Sequence, residues 1–234
     1  MDRTFTAAPG PTPVRDRPHI GVVGLDRVGA VTAAALARRG CRITAVDRDP
    51  RTLDRLGRGQ SPVREPGLNE AIGDAHRRGA LHATGDLAAA ADCDVVMVCV
   101  DTPATIHGEA DLSVIRRITL GLAEVLRDRD DACIVMIRSS VPPGTVRNRI
   151  APILRDANAN TVVCHHPAFL RAGDALRDWH DPPMNVVGAD GPHRVASEAT
   201  ARQLYADIDA PVVVLDSVES ELLAGARSVM QGIR

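Results

Sequence analysis

The sequence predicts a doubly wound α/β domain, a mostly parallel sheet with crossover helices on both faces, followed by one C-terminal helix. Three observations carry this. Strand-like and helix-like segments alternate from His19 onward. The strand-like segments are short, unbroken apolar runs, as expected of strands covered on both faces. A glycine turn joins the first run to the first helical stretch, and an acidic residue closes the second run.

The first strand covers 19–25 (HIGVVGL) and feeds a helical stretch that stops at Gly40. The second strand is 41–47 (CRITAVD). One helix starts near Pro50 and another runs from Pro66 to Arg78. Apolar runs at 95–100, 133–137, 161–164, 185–188 and 211–215 supply the remaining strands. Helical patterns near 111–127, 145–156 and 193–206 connect them, and Val218 to Arg234 reads as the closing helix. Residues 1–17, rich in Pro and small residues and lacking a hydrophobic signal region, are expected to be a disordered lead-in.

Bulk composition excludes several function classes. A net charge of -2 offers no electrostatic footprint for nucleic acid, and 2% aromatics leave no base-stacking platform. The longest apolar runs fall well below membrane-spanning length. Cys41, Cys93, Cys99, Cys133 and Cys164 each lie in or beside an apolar segment, which reads as buried small side chains in a reducing cytoplasm. Neither a Cys-x-x-Cys pair nor zinc spacing occurs, so no metal site is expected.

The chemistry-bearing signal lies in Gly24-Leu25-Asp26-Arg27-Val28-Gly29, with Asp47 about twenty residues beyond the turn. Strand, glycine turn, helix and acid form the Rossmann-type dinucleotide fingerprint. Gly24 permits the tight turn, Gly29 lets the helix approach the strand, and Asp47 is placed to accept hydrogen bonds from ribose hydroxyls. The predicted organisation is a nucleotide- or nucleoside-binding domain over 18–216 and a helix over 217–234.

Further motifs follow in order: Ser61-Pro62-Val63-Arg64-Glu65-Pro66-Gly67-Leu68, Val100-Asp101-Thr102-Pro103, Arg138-Ser139-Ser140-Val141-Pro142-Pro143-Gly144-Thr145, and His166-Pro167-Ala168-Phe169-Leu170-Arg171-Ala172-Gly173. Asp178, Pro182 and Val186-Val187-Gly188 fall at matching spacing. Together these resemble the UDP-glucose/GDP-mannose 6-dehydrogenase family, whose motifs read P-x-x-E-P-G-L, V-G-T-P, K-S-T-V-P-x-G-T and N-P-E-F-L-R-E-G. The resemblance implies NAD as cofactor, a nucleotide-sugar ligand, and a homodimer built by the helix that Val218–Arg234 begins. It also implies a cofactor site made of Gly24, Asp26, Arg27, Val28, Gly29, Asp47, Thr102, Pro103, Ser139 and Ser140.

The departures from that pattern set the functional expectation. Asp26 and Asp101 stand where the family has glycines against the cofactor. A carboxylate about 4 Å from a phosphate charge costs about 4 kcal/mol at an effective dielectric near 20, so weakened NAD binding is expected, offset in part by Arg27. The family's catalytic glutamate, lysine and asparagine fall at Ala168, Ala224 and Ser228, and its cysteine motif does not occur in these residues. The expected activity is therefore acid–base chemistry, a dehydration or isomerisation of a nucleoside or nucleoside-derived sugar. Asp101, Asp26, His165, His166 and Arg171 are its candidate catalytic groups. Two alternatives stay open: NAD-dependent oxidation of a sugar, or a non-catalytic binding module or partner subunit. Asp26 reads equally as a plain helix cap, and His165 and His166 as loop-fixing residues. Ser139 and Ser140, near a Pro-Gly turn that opens a helix, are placed to cradle a ligand through backbone groups.

Overall fold

The computed structural model describes residues 17–232; residues 1–16 of the expected lead-in lie outside them. Eight strands form one sheet in the order β3-β2-β1-β4-β5-β6-β7-β8. They are β1 (His19–Val23), β2 (Arg42–Val46), β3 (Leu81–Thr84), β4 (Val95–Val98), β5 (Cys133–Ile137), β6 (Thr161–His165), β7 (Asn185–Gly188) and β8 (Val212–Leu215). All neighbours are parallel except β6 and β7, whose antiparallel pairing is the single register His165↔Gly188.

The helices are α1 (Arg27–Arg38), α2 (Pro50–Gly57), α3 (Leu68–Arg77), α4 (Ser113–Leu126), α5 (Ala151–Ala157), α6 (Ala175–His180), α7 (His193–Leu204) and α8 (Ser217–Gly232). A 3-10 turn covers Leu87–Ala90, and a π-helical turn, Val146–Ile150, opens α5. Strand residues alternate between two apolar layers. Ile20, Val22, Met97 and Met136 pack under α1, α3, α6 and α7, while Val23, Val96, Val98 and Val135 pack under α4 and α5. Every residue of α1 from Gly29 to Ala37 is buried, which explains why this helix carries alanine rather than a polar outer stripe.

Sequence reading missed β3 and α6. β3 is an edge strand whose LHAT is buried only at Leu81, so the unbroken apolar run that marks a covered strand is absent. α6 is a six-residue helix of mixed polarity with Ala175 and Trp179 buried, too short for a periodic pattern to stand out.

The sheet diverges between β1 and β4: from β1 the chain moves outward to β2 and β3, then returns to the other side as β4. The carboxyl ends of strands flanking such a divergence leave a crevice between the loops. α8 begins as part of the same body, because Ser217, Ser220, Glu221 and Ala224 are all buried.

Candidate functional site

The turn after β1 is built by two glycines. Gly24 has φ 89, a left-handed conformation that L side chains resist, and its amide donates to the Val46 carbonyl at 2.9 Å. A Cβ on Gly29 would stand 1.8 Å from the Gly24 carbonyl oxygen, so the first turn of α1 touches the loop directly. Asp47 clamps the same loop, its two oxygens accepting the Leu25 amide at 2.8 Å and the Asp49 amide at 2.9 Å. It remains partly exposed at the rim.

Two adjoining cavities occupy the crevice. One of about 320 Å³ is lined by Gly24, Asp26, Asp47, Arg48, Asp101 and Arg117, with Ile118 among its apolar walls. The other, about 270 Å³, is lined by Val28, Asp101, Thr102, Pro103, Ser139, Ser140 and Ala168. Asp101 and Pro103 border both. Of the expected ligand-binding residues, Gly24, Asp26, Asp47, Val28, Thr102, Pro103, Ser139 and Ser140 thus meet here. Ala168, where the resemblance expects a glutamate, lines the wall without a carboxylate.

Asp26 precedes α1 but makes no side-chain cap, which removes the helix-cap reading. It lies against Asp101 instead. Burial, the charges of Asp101 and Asp47, and a hydrogen bond with Asp101 all push its carboxyl above the usual range. Arg27 does not offset this pair. Its Nε donates to Glu65 at 3.2 Å, and the other oxygen of buried Glu65 accepts the Ala175 amide at 2.9 Å. Glu65 is therefore a structural tie between α1 and α6.

Three expectations need correction. His165 and His166 do not face the crevice as proton carriers, because both are buried beneath it. His166 Nδ1 lies 2.7 Å from the Val186 carbonyl, which can only accept, so Nε2 accepts the Tyr205 hydroxyl at 2.7 Å. Tyr205 in turn accepts from Arg138 Nη1 at 3.0 Å. His165 Nδ1 pairs with the Ser220 hydroxyl at 2.8 Å, and burial pulls its pKa down to about 4. Both rings are thus held neutral by the interior.

Arg171 is also elsewhere. It sits on the surface, where Asp178 accepts its backbone amide at 2.7 Å and its Nη2 at 2.6 Å.

The third correction concerns the Pro-Gly helix start. Its amides at Gly144 and Val146 are already filled by Glu221 at 2.5 and 2.7 Å. Nearby, the Ser139 hydroxyl donates to the Val100 carbonyl at 2.6 Å and the Thr102 hydroxyl to the Ser140 carbonyl, so both fasten the loops. Cys99, which also lines the smaller cavity, is no nucleophile, since burial pushes its thiol up to about 11.

Sequence reasoning missed Arg48 and Arg117 as lining residues. Arg117 looks like part of a solvated helix face beside Arg116, and only the packing of α4 beside β1 and β4 brings it to the rim.

Residues 18–209 match the model of the NAD binding domain of the UDP-glucose/GDP-mannose dehydrogenase family. The chain is 35% identical over 211 residues to a GDP-mannose 6-dehydrogenase of Pseudomonas syringae pv. tomato, covering 88% of this chain and 48% of the relative. It is 36% identical to a UDP-glucose 6-dehydrogenase of Pseudomonas aeruginosa, covering 88% and 44%. The crystal structure of a ternary complex of GDP-mannose dehydrogenase from Pseudomonas aeruginosa superposes with TM-score 0.88 at 30% identity, covering 92% of this chain and 50% of that one. The chain thus spans about half the length of the relatives it matches. These relatives overturn the expected dehydration or isomerisation of a nucleoside, because proteins sharing this sequence and fold are named for sugar oxidation. The NAD-binding domain match likewise supports NAD as the cofactor and lends nothing to the expected weakening. On sequence and fold together, the chain belongs to the UDP-glucose/GDP-mannose dehydrogenase family, whose NAD binding domain it carries.

Proposed function

We propose that this chain is the cofactor-binding half of an enzyme that oxidises a nucleotide-linked sugar, with NAD as acceptor. The observation that carries the reading is the intact frame of the crevice: the left-handed Gly24, the contact of Gly29 with it, and the Asp47 clamp on the Leu25 amide. The cavities on either side of Asp101 suit the two ends of a dinucleotide. The carboxylate pair is compatible with a phosphate once it holds a proton, and the raised pKa of Asp26 makes protonation easier.

NAD, when bound, supplies the hydride acceptor. Asp47 would hold the ribose end, since each of its oxygens keeps a lone pair beyond the amide it accepts. Gly24 holds the turn beneath the phosphates, its φ of 89 and its contact with Val100 excluding any side chain there. Asp101 is the carboxylate among the residues lining the smaller cavity, and in this reading it takes the proton of the hydroxyl being oxidised. Ala168 contributes no acid or base there.

The nucleotide-binding unit spans 18–216 in this reading. A second copy docks on α8, where Leu222 and Met230 are 61% and 71% exposed. Among the described residues no helix is long and apolar enough to cross a membrane. Five free, buried cysteines suit a reducing cytoplasm.

Thermal unfolding with and without NAD tests the proposal. A ligand at 100 times its dissociation constant adds about 2.7 kcal/mol of stability. NAD should raise the midpoint in the native chain, and Asp47→Ala should lose most of that rise. An unmoved midpoint at millimolar NAD would overturn the reading.

A further inference from the structure

Beneath the loop that follows β6 lies a small pocket of about 20 Å³, whose walls include Arg138, His166, Asp178, Trp179, Asn185 and Tyr205. This is room for one water-sized occupant. Arg138 is 4% exposed, Trp179 3% and Asn185 6%. Each carries a buried nitrogen without a hydrogen-bond partner: Arg138 Nε, Trp179 Nε1 and Asn185 Nδ2.

All three atoms are donors. Elsewhere around the pocket the acceptors are committed. The Tyr205 oxygen takes Arg138 Nη1, His166 Nε2 takes the Tyr205 hydroxyl, and the Asp178 carboxylate is held by the guanidinium and amide of Arg171. The Arg138 guanidinium forms no ion pair among the described residues; it stacks over the Trp179 ring at 5.2 Å and donates to a neutral phenol. A buried cation with neither counter-charge nor full hydrogen bonding is costly, and three unpaired donors on residues that wall one small space call for an acceptor with more than two lone pairs. Water offers only two.

We propose that this pocket is a binding site for a single small monovalent anion of halide type, which neutralises Arg138 and accepts from Arg138 Nε, Trp179 Nε1 and Asn185 Nδ2. The anion fastens β5, the α6 helix and β7 to one another below the crevice loop.

The chain supplies its own reporter, because Trp179 is its one tryptophan. Protein exchanged into gluconate at constant ionic strength is titrated with iodide while Trp179 emission is followed. A bound heavy halide at the indole N–H should quench more than half the emission along a saturating curve, and added chloride should restore it competitively. Arg138→Met should abolish the saturable phase. If that variant does not fold, Asn185→Leu should weaken iodide binding at least tenfold. Bromide-soaked crystals should show an anomalous peak between Arg138 and Trp179. Linear, unsaturable quenching that chloride does not relieve, or an anomalous map without that peak, would mean the pocket holds water only and would overturn the proposal.

Discussion

Glu221 of α8 accepts the backbone amide of Val146 at 2.7 Å, although 75 residues separate them in the chain. With its other oxygen on the Gly144 amide, this carboxylate fills the start of the helical segment that a phosphate would otherwise seek. Glutamine can accept only one of the two amides and brings an N–H toward the other. Glu221→Gln should therefore cost roughly 1–3 kcal/mol, the range for a buried donor left unsatisfied. Urea unfolding midpoints of the two proteins would show it, and an unchanged midpoint would mean the contact contributes nothing net.

Gly29→Ala should be more damaging still. The added Cβ would meet the Gly24 carbonyl at 1.8 Å, so either α1 lifts from the sheet or the turn opens. Overpacking of this kind costs typically about 1–3 kcal/mol and here falls on backbone, which cannot swing aside. A lowered melting temperature together with lost NAD binding is expected. Retention of both would show that the helix can shift freely.

Acid should destabilise the protein through its buried histidines. The folded pKa of His165 is depressed to about 4, and that of His166 lies well below 6.5, both through burial first. A depressed histidine pKa means the unfolded chain binds the proton more readily. Stability is then full above about pH 6.5 and falls as pH drops, the loss from His165 levelling off near its folded value. Unfolding midpoints measured at pH 7.5 and 5 should differ accordingly, and His165→Gln should flatten part of the slope.

The Asp26–Asp101 pair should make NAD affinity rise toward acid. Asp26 already has a raised pKa from burial and from Asp101, and an approaching phosphate raises it further. Binding therefore takes up a proton. Affinity is greatest where the pair holds that proton and declines as pH rises through the raised carboxylate range. Calorimetry in buffers of different ionisation heat reads the uptake directly. Asp101→Asn should shrink it, and an equal slope in that variant would place the proton elsewhere.

Asp26→Gly should strengthen NAD binding about tenfold at neutral pH. A charge about 4 Å away costs about 1 kcal/mol in water and about 4 at an effective dielectric of 20, and the exposure of Asp26 favours the lower figure. Titration of NAD into both proteins decides it. Equal affinities would show that Asp26 turns from the phosphate path when the cofactor arrives.

By itself the sequence determined the doubly wound α/β class, seven of the eight strands and the dinucleotide turn, because each is written locally. Unbroken valine and isoleucine runs mark strands covered on both faces, and Gly24, Gly29 and Asp47 sit at spacings that a strand–turn–helix unit requires. What the tertiary structure decided is where polar side chains end up. His165, His166 and Arg171 stand beside the crevice loop in sequence, yet two are buried at the end of β6 against Ser220 and β7, and one is drawn to Asp178 on the surface. Glu221, Arg117 and Arg138 acquire their surroundings from segments far away in the chain. Strand identity depends on a residue's immediate neighbours, whereas the partner of a charge depends on which distant segment folds against it.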